Sequence, residues 1–290
     1  MTAPSFPRVA VLGAGTMGHG IAQTCARAGR DVALYDLTTE LAERGVAAIR
    51  KTLDKAIELK KGTAEERDAT LARVRATSDL EGAARDADLV IEAAPEKLEL
   101  KRALFERVSS IAGPAAVLAT NTSSLPVAQI TSAMKDPGRG IGLHFFNPVP
   151  RMKLLEIVVA STTSPDTVER AKRFAAEIDK TAIVVKDSPG FASSRLGIAI
   201  GLEAMRMLEA GVASAADIDT AMKLGYGHPM GPLELTDLVG LDVRLAIAEH
   251  LHREIGETFR PPELLRRLVK EGKLGRKTGE GFYKHDGAAT

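Results

Sequence analysis

The feature that most constrains the fold is an apolar strand that runs directly into three regularly spaced glycines. Residues 9–12 are apolar, and Gly13, Gly15 and Gly18 follow in the G-x-G-x-x-G spacing, with a helical pattern starting at once. In this arrangement the first glycine permits a tight turn, the second lets the backbone approach an anionic ligand, and the third lets the helix pack closely on the strand. The sequence therefore predicts the opening unit of a doubly wound α/β sheet. The alternative is a glycine-rich turn that serves packing alone.

The residues after this motif indicate which ligand it binds. The helical pattern ends at Gly29, and the next strand, residues 31–36, ends in Asp36. A carboxylate at this point accepts hydrogen bonds from an adenosine ribose and repels a 2′-phosphate, and no arginine follows directly to neutralise one. The pattern thus favours NAD over NADP, with the pyrophosphate at the helix N-terminus. The predicted cofactor loop consists of Gly13, Ala14, Gly15, Thr16, Met17 and Gly18.

Strand and helix patterns alternate along the first part of the chain. Helices are predicted at residues 40–61, 99–111 and 164–178, and further apolar strands at residues 88–94, 116–120, 140–145, 154–159 and 182–185. Because such alternation is typical of βαβ units, it predicts one Rossmann-like doubly wound domain over residues 1–187.

Strand signals disappear after a cluster of turn formers at residues 187–191. The apolar spacing then becomes helical, and helices are predicted at residues 193–208, 215–224 and 233–254. The predicted fold class is α/β, a Rossmann-like sheet followed by an all-helical C-terminal domain over residues 188–290.

Residues 141–157 place the ionisable His144 among apolar residues, with Glu156 twelve positions downstream. His144 lies near the end of an apolar strand, where α/β enzymes place their chemistry. A second short strand can return a carboxylate to the far imidazole nitrogen, so the pair predicts a proton-transfer site. The alternative is a histidine packed in the core beside aromatic residues.

A polar segment, residues 121–125, follows another apolar strand. Its side chains should emerge at the same sheet edge as the glycine loop and His144, which makes Ser123 a candidate site residue. In the alternative interpretation, Thr122 and Ser123 cap a helix that begins near Pro126.

The helix predicted at residues 40–61 carries a basic patch, in which Lys51 and Lys55 share one face because they are four residues apart. The functional interpretation is a landing surface for a phosphorylated handle such as coenzyme A. The alternative is an ordinary solvated face.

Composition and the remaining ionisable residues argue against several other classes. The formal net charge of +1 over 290 residues provides no net field that would attract nucleic acid or an anionic membrane. We expect no membrane span and no secretion signal, because no apolar run is long enough and the N-terminus lacks a signal pattern. Cys25 is the only cysteine, which excludes an internal disulfide and suits a reducing, cytoplasmic setting. No metal site is predicted, because His228, His250 and His252 lack suitably spaced partners.

Six segments give the chain a resemblance to a known family over nearly its whole length. They are Gly-Ala-Gly-Thr-Met-Gly (13–18), Asn-Thr-Ser-Ser-Leu (121–125), Leu-His-Phe-Phe-Asn-Pro-Val-Pro-Arg-Met-Lys-Leu-Leu-Glu (143–156), Asp-Ser-Pro-Gly-Phe (187–191), Gly-His-Pro-Met-Gly-Pro (227–232) and Lys-Thr-Gly-Glu-Gly-Phe-Tyr (277–283). The chain resembles the L-3-hydroxyacyl-CoA dehydrogenase family, most closely its stand-alone 3-hydroxybutyryl-CoA dehydrogenases.

This resemblance implies reversible, NAD-dependent oxidation of an L-3-hydroxyacyl-CoA to a 3-ketoacyl-CoA. It implies NAD on the first domain, an acyl-CoA between the domains, and a homodimer formed through the helical domain. His144 matches the family's general base, Glu156 the carboxylate that orients it, and Ser123 the hydroxyl that contacts substrate and cofactor. The positions that match NAD contacts are Asp36, Glu96, Lys101, Ser123, Asn147 and Lys277.

The chain departs from the family pattern at one catalytic position. Relatives usually carry Pro-Gly-Phe-x-x-Asn-Arg, whereas this chain has Ser194 in place of the asparagine. Serine keeps a hydrogen-bond donor on a shorter side chain, so it could contact the substrate directly or through water. Two other functions stay open: a lambda-crystallin-type L-gulonate dehydrogenase, which would need no CoA, and a non-catalytic NAD-binding protein.

Overall fold

The computed structural model describes residues 4–285, and the chain divides into two compact units. Unit 1 extends through Asp187, and unit 2 begins at Ser188. Unit 1 is an α/β unit and unit 2 is helical. Within residues 4–285, no helix is both long enough and apolar enough to cross a bilayer.

Eight strands of unit 1 form one sheet in the order β3-β2-β1-β4-β5-β6-β7-β8. The strands are β1 Arg8–Leu12, β2 Asp31–Tyr35, β3 Val74–Thr77, β4 Leu89–Glu92, β5 Val117–Thr120, β6 Gly140–Phe145, β7 Leu154–Val159 and β8 Thr181–Lys186. Neighbouring strands pair in parallel except β6 and β7, which are antiparallel. The carboxyl ends of β1, β4, β5 and β6 therefore meet at one edge of the sheet, where an α/β fold places its ligands.

Helices cover both faces of this sheet. They are α1 Thr16–Arg27, α2 Thr39–Glu58, α3 Ala64–Leu71, α4 Leu80–Ala84, α5 Leu98–Ile111, α6 Val127–Thr131 and α7 Pro165–Glu177. Along β1, Val9 and Val11 enter a core shared with α1, α2 and α7, whereas Ala10 and Leu12 enter a second core shared with α4, α5 and α6. The side chains alternate between the two faces, as the period of a strand requires, so the doubly wound prediction is confirmed.

Elements β3, α3 and α4 of unit 1 have no counterpart among the predicted strands and helices, and one predicted helix is too long. Strand β3 alternates with polar residues and lies at the edge of the sheet, so it has no apolar run to reveal it. The short helix α3 is largely polar. Helix α2 ends at Glu58 rather than at Lys61, because Lys60 has a positive φ of 54° that no α-helix continues through.

Unit 2 packs its helices around a core of its own. They are α8 Ser193–Glu209, α9 Ala215–Thr220, α10 Pro232–Val239, α11 Leu241–Ile255 and α12 Glu263–Lys270. The helix predicted at residues 215–224 is α9 followed by a π-helical turn over Ala221–Gly225. The single helix predicted at residues 233–254 is wrong: Gly240, with φ of 106°, separates α10 from α11.

Candidate active site

The glycine loop has the two properties that dinucleotide binding requires, tight packing and an open side. A Cβ at Gly13 would lie 2.7 Å from the Ala93 carbonyl oxygen, and one at Gly18 would lie 1.7 Å from the Gly13 carbonyl oxygen. A Cβ at Gly15 would meet nothing within 4 Å. Gly13 and Gly18 are thus needed for packing, whereas Gly15 leaves space in front of the N-terminus of α1. Packing alone does not account for all three glycines.

Asp36 lies directly beside this loop. Its Oδ2 accepts a hydrogen bond from the Ala14 amide at 2.8 Å, and its Oδ1 accepts one from the Leu37 amide at 2.7 Å. The N-cap residue Gly15 offers no side chain to the first turn of α1, so the exposed amides of that turn can receive a phosphate. These residues fit NAD: open amides for the pyrophosphate and a half-buried carboxylate for the ribose.

His144 and Glu156 form a hydrogen-bonded pair across β6 and β7. The antiparallel register puts the two residues directly opposite each other, and His144 Nδ1 lies 2.7 Å from Glu156 Oε2. Glu156 is fully buried and His144 is 7% exposed. The Phe146 ring packs against the imidazole, with ring centroids 4.4 Å apart. This geometry is that of an imidazole oriented by a carboxylate.

A cleft of about 370 Å³ in unit 1 brings many of the predicted residues together. His144, Ser123, Met17, Glu96, Asn147 and Lys101 all line it. The other lining residues are Ala93, Ala94, Asn121, Phe145 and Phe146. Because His144 contributes to the wall of this cleft, it is not simply a histidine enclosed by the core.

Glu96 organises the polar segment after β5. Its Oε1 accepts hydrogen bonds from the Thr122 hydroxyl at 2.6 Å and the Ser123 amide at 3.0 Å, and the Ser123 hydroxyl lies at 3.4 Å. Burial acts to raise the pKa of Glu96, but the Lys101 ammonium and these donors outweigh it and hold the pKa below its usual value. Helix α6 begins at Val127 and has no side-chain cap, but Thr122 accepts a hydrogen bond from the Leu125 amide at 2.9 Å in the turn before this helix.

The burial of Lys101 could not be predicted from the sequence. Its side chain is 1% exposed, and its ammonium lies 2.6 Å from Glu92 Oε1 and 3.2 Å from Glu96 Oε2. Glu92, also 1% exposed, accepts further hydrogen bonds from Thr120 and the Ala94 amide. A buried charge requires such partners. Lys101 therefore lies in the wall of the cleft with its charge compensated by two carboxylates.

Two residues that matter to this geometry were missed by the sequence reasoning. Glu92 is an acid inside an apolar strand, and that contrast is the signal that could have revealed it. Asn121 was assigned only to a polar segment, yet its Oδ1 accepts a hydrogen bond from the Phe145 amide at 2.9 Å and ties the end of β5 to the end of β6.

The remaining predicted residues lie outside this cleft. Ser194, half-buried, is the second residue of α8 in unit 2. Lys277, also in unit 2, binds the Asp242 carboxylate at 2.5 Å.

Lys51 and Lys55 are exposed on α2, beside a shallow surface depression of about 820 Å³. Lys55 binds Glu58 at 2.8 Å, and the depression is lined by as many acidic as basic side chains: Glu43, Asp54 and Glu58 with Arg50, Lys51 and Lys55. This face is therefore charged but not purely basic.

The histidines outside the cleft have no metal-binding arrangement. Among the residues that the structure describes, no three His, Cys, Asp or Glu side chains come close enough to hold a metal ion. His252 instead lies 2.9 Å from Glu257 on the surface of unit 2.

Comparison with known proteins places the chain in a family. The model of the 3-hydroxyacyl-CoA dehydrogenase NAD binding domain matches residues 8–188, and the model of the C-terminal domain matches residues 190–285. A probable 3-hydroxybutyryl-CoA dehydrogenase from Deinococcus radiodurans is 44% identical over 276 residues, covering 95% of this chain and 99% of that protein.

Two further relatives agree. The 3-hydroxybutyryl-CoA dehydrogenase of Bradyrhizobium diazoefficiens is 42% identical over 282 residues, covering 97% of this chain and 96% of that protein. The crystal structure of (S)-3-hydroxybutyryl-CoA dehydrogenase from Ralstonia eutropha superposes with a TM-score of 0.93 at 38% identity, covering 97% of this chain and all of that one. Because two successive family models together match almost the whole chain, the chain belongs to the 3-hydroxyacyl-CoA dehydrogenase family of NAD-dependent oxidoreductases.

Proposed function

We propose that the protein catalyses the reversible, NAD-dependent oxidation of an L-3-hydroxyacyl-CoA, such as 3-hydroxybutyryl-CoA, to the 3-ketoacyl-CoA. The observation that carries this proposal is the 2.7 Å hydrogen bond between buried Glu156 and His144, which lines a cleft beside the glycine loop. The names of the relatives support the substrate class.

In this proposal His144 is the general base and Glu156 is the residue that orients it. The imidazole Nε2 takes the proton of the substrate 3-hydroxyl, and Glu156 holds Nδ1 in its protonated form and stabilises the imidazolium. Bound NAD supplies the acceptor for the hydrogen that leaves C3 with its electron pair, so the alcohol becomes a ketone. In the reductive direction His144 returns the proton to the carbonyl oxygen.

The cofactor residues have distinct proposed roles. The amides of residues 13–18 receive the pyrophosphate, and Asp36 accepts hydrogen bonds from the adenosine ribose. Glu96, Asn147 and Lys277 contact the cofactor directly, whereas Lys101 acts by fixing Glu96. Ser123 contacts both the substrate and the cofactor.

The acyl-CoA is the proposed partner of three further residues. Ser194 orients the substrate with its hydroxyl, in place of the asparagine amide. Lys51 and Lys55 receive the phosphates of the CoA handle. The ion pair between Lys55 and Glu58 weakens the case for Lys55 more than that for Lys51, because it already compensates the Lys55 charge.

The proposed assembly is a homodimer formed through unit 2, in the cytoplasm. Large apolar side chains on three helices of unit 2 are exposed, and a second copy of the chain would cover them. They are Leu196 and Ile200 on α8, Leu238 and Val239 on α10, and Val243 on α11. A reducing compartment agrees with a buried free thiol at Cys25.

The decisive experiment measures NADH consumption with acetoacetyl-CoA. We expect turnover by the native protein, and a fall in kcat of about 10² to 10⁴ for Glu156→Gln with little change in the KM for NADH, because only the acid–base group is impaired. Glu169→Gln, which alters an exposed glutamate paired with Lys172, serves as the matched control and should behave like the native protein. Native turnover with unchanged kcat in Glu156→Gln would contradict the role of Glu156.

The same assay separates the two alternative functions. Oxidation of L-gulonate with no activity on acetoacetyl-CoA would favour the lambda-crystallin-type enzyme. NAD binding with no turnover of either substrate would favour a non-catalytic protein. A Lys51→Met, Lys55→Met double variant should raise the KM for acetoacetyl-CoA without changing the KM for NADH.

A further inference from the structure

The segment that joins β6 to β7 carries two residues of the cleft. This cleft loop, residues 146–153, begins directly after β6 and ends directly before β7. Phe146 and Asn147 line the cleft from this loop, and the Phe146 ring packs on His144. A shift of the loop would therefore move the wall of the cleft next to the proposed base.

A buried lysine from a different part of unit 1 holds this loop. Lys180, between α7 and β8, is 8% exposed. Its ammonium donates hydrogen bonds of 2.5 Å to the carbonyl oxygens of both Val149 and Met152. The bonds are charge-assisted, and they join two points of the loop to one rigid anchor at the start of β8.

The loop also rests on α1, the helix that follows the glycine loop. A Cβ at Gly20 would lie 3.0 Å from Val149 Cβ and 3.6 Å from Pro150 Cδ, which is tighter than ordinary van der Waals contact at Val149. A Cβ at position 20 would therefore press on Val149 and require it to shift by a few tenths of an ångström. The cleft loop therefore contacts both the helix that leads from the cofactor loop and a buried ammonium.

We propose that Lys180 is a positioning residue for the dehydrogenase reaction, which holds Phe146 and Asn147 in the cleft through the carbonyl oxygens of Val149 and Met152. It touches neither substrate nor cofactor in this role. The inference rests on the proposed function for its effect on turnover, but the effect on the loop itself is independent of any activity.

The test compares three variants at one neutral pH. Lys180→Met removes the ammonium but keeps an unbranched side chain, Lys180→Arg keeps a cation and its donors, and Lys153→Met is the matched control. Lys153 lies at the end of the same loop, but its ammonium is exposed and binds Asp179 rather than loop carbonyls. Each protein is assayed for NADH consumption with acetoacetyl-CoA and for amide hydrogen exchange in the cleft loop and in β1.

For Lys180→Met we expect kcat/KM for NADH to fall at least about tenfold, corresponding to the loss of about one charge-assisted hydrogen bond. The amides of Arg151 and Met152, which donate to the Pro148 carbonyl, should exchange at least about tenfold faster, while those of β1 stay protected. Lys180→Arg should recover most of both effects, and Lys153→Met should stay within about twofold of the native protein.

Three results would overturn the proposal: kcat/KM of Lys180→Met within about twofold of native, equal loss of protection in the loop and in β1, or no recovery in Lys180→Arg. If Lys180→Met does not fold, Gly20→Ala tests the proposal instead. This variant leaves Lys180 intact and displaces the cleft loop from the other contact, because the new methyl group presses on Val149. Selective loop exchange with reduced kcat/KM supports the proposal, and an unchanged loop overturns it. Failure of the native protein to consume NADH would refute the proposed function alone, since the exchange measurement still tests the loop.

Discussion

The direction of the hydrogen bonds at Ser123 follows from the charge on Glu96. Because the pKa of Glu96 lies below its usual value, the side chain is a carboxylate at neutral pH and can only accept. Ser123 must therefore donate to it, strongly through the amide and weakly through the hydroxyl at 3.4 Å. Because this hydrogen bond is weak, the Ser123 hydroxyl can leave Glu96 and donate to another acceptor, such as a substrate oxygen, with little loss of free energy.

Ser194, which stands where the expected family pattern has asparagine, allows a direct prediction. Ser194→Asn restores the longer amide, so we expect kcat/KM for acetoacetyl-CoA to rise about fivefold to tenfold, the equivalent of about one neutral hydrogen bond. Steady-state kinetics of the variant measure this change. Ser132→Asn, a similar substitution at an exposed position of unit 1, should have no effect. A fall in kcat/KM of Ser194→Asn would instead indicate a site adapted to serine.

The sequence could reveal some residues of the cleft and not others, for a physical reason. His144 and Glu156 stand out because ionisable groups interrupt apolar strands, and the glycines stand out through their spacing. Lys180 carries no such signal, because a lysine after a helix is usually solvated, and its burial depends on carbonyl oxygens some 30 residues away in sequence. Lys101 likewise resembles a surface lysine until the fold brings Glu92 to it.

At the level of elements, the strands could be predicted but not all of their partners. Strands buried on both faces, such as β6 and β7, are apolar apart from His144 and Glu156, and such a run carries no information about direction. The antiparallel pairing follows from the connection instead, because the segment between them is too short for the crossover of about a dozen residues that a parallel pair needs. This reversal puts Glu156 opposite His144.

The break between α10 and α11 gives a prediction at the same scale. Gly240 has φ of 106° and ψ of 129°, a conformation that strains any residue with a Cβ, and a Cβ there would lie 2.9 Å from Asp242 Oδ1. We expect Gly240→Ala to lower the free energy of unfolding by about 1 to 3 kcal/mol in urea denaturation.

A second glycine of unit 2 provides the control for this substitution. Gly225 has no positive φ, and a Cβ there would meet nothing within 4 Å, so Gly225→Ala should change stability by less than about 0.5 kcal/mol. Equal stability of the two variants would show that α10 and α11 can join into the continuous helix that the apolar spacing predicts.

At the scale of the whole molecule, the division of the apolar cores between the two units matches two family models. The apolar clusters on the faces of the sheet contain residues of unit 1, and a third cluster contains residues of unit 2. The match to the NAD binding domain ends at residue 188, and the match to the C-terminal domain begins at residue 190. The change from alternating strands and helices to helices alone reveals this organisation in the sequence, because each pattern buries its apolar residues in a different kind of layer.

The buried thiol of Cys25 connects one residue to the stability of the fold. Cys25 is fully buried in α1, and burial raises its pKa to about 12 from an ordinary value of 9.0. Between these pH values the unfolded chain holds fewer protons at this position than the folded chain does, so stability falls as the pH rises. The loss approaches about 1.4 kcal/mol per pH unit.

We therefore expect the native protein to lose about 1.4 kcal/mol more stability than Cys25→Ala between about pH 8 and about pH 10. Urea unfolding of both proteins at the two pH values measures this difference, and any cavity left by the alanine cancels because it is the same at both. Titration of other groups also cancels, since the two chains share them. Equal losses in the two proteins would mean that the thiol ionises as readily in the folded chain as in the unfolded one. That result would contradict the rise in pKa that the burial of Cys25 in α1 produces.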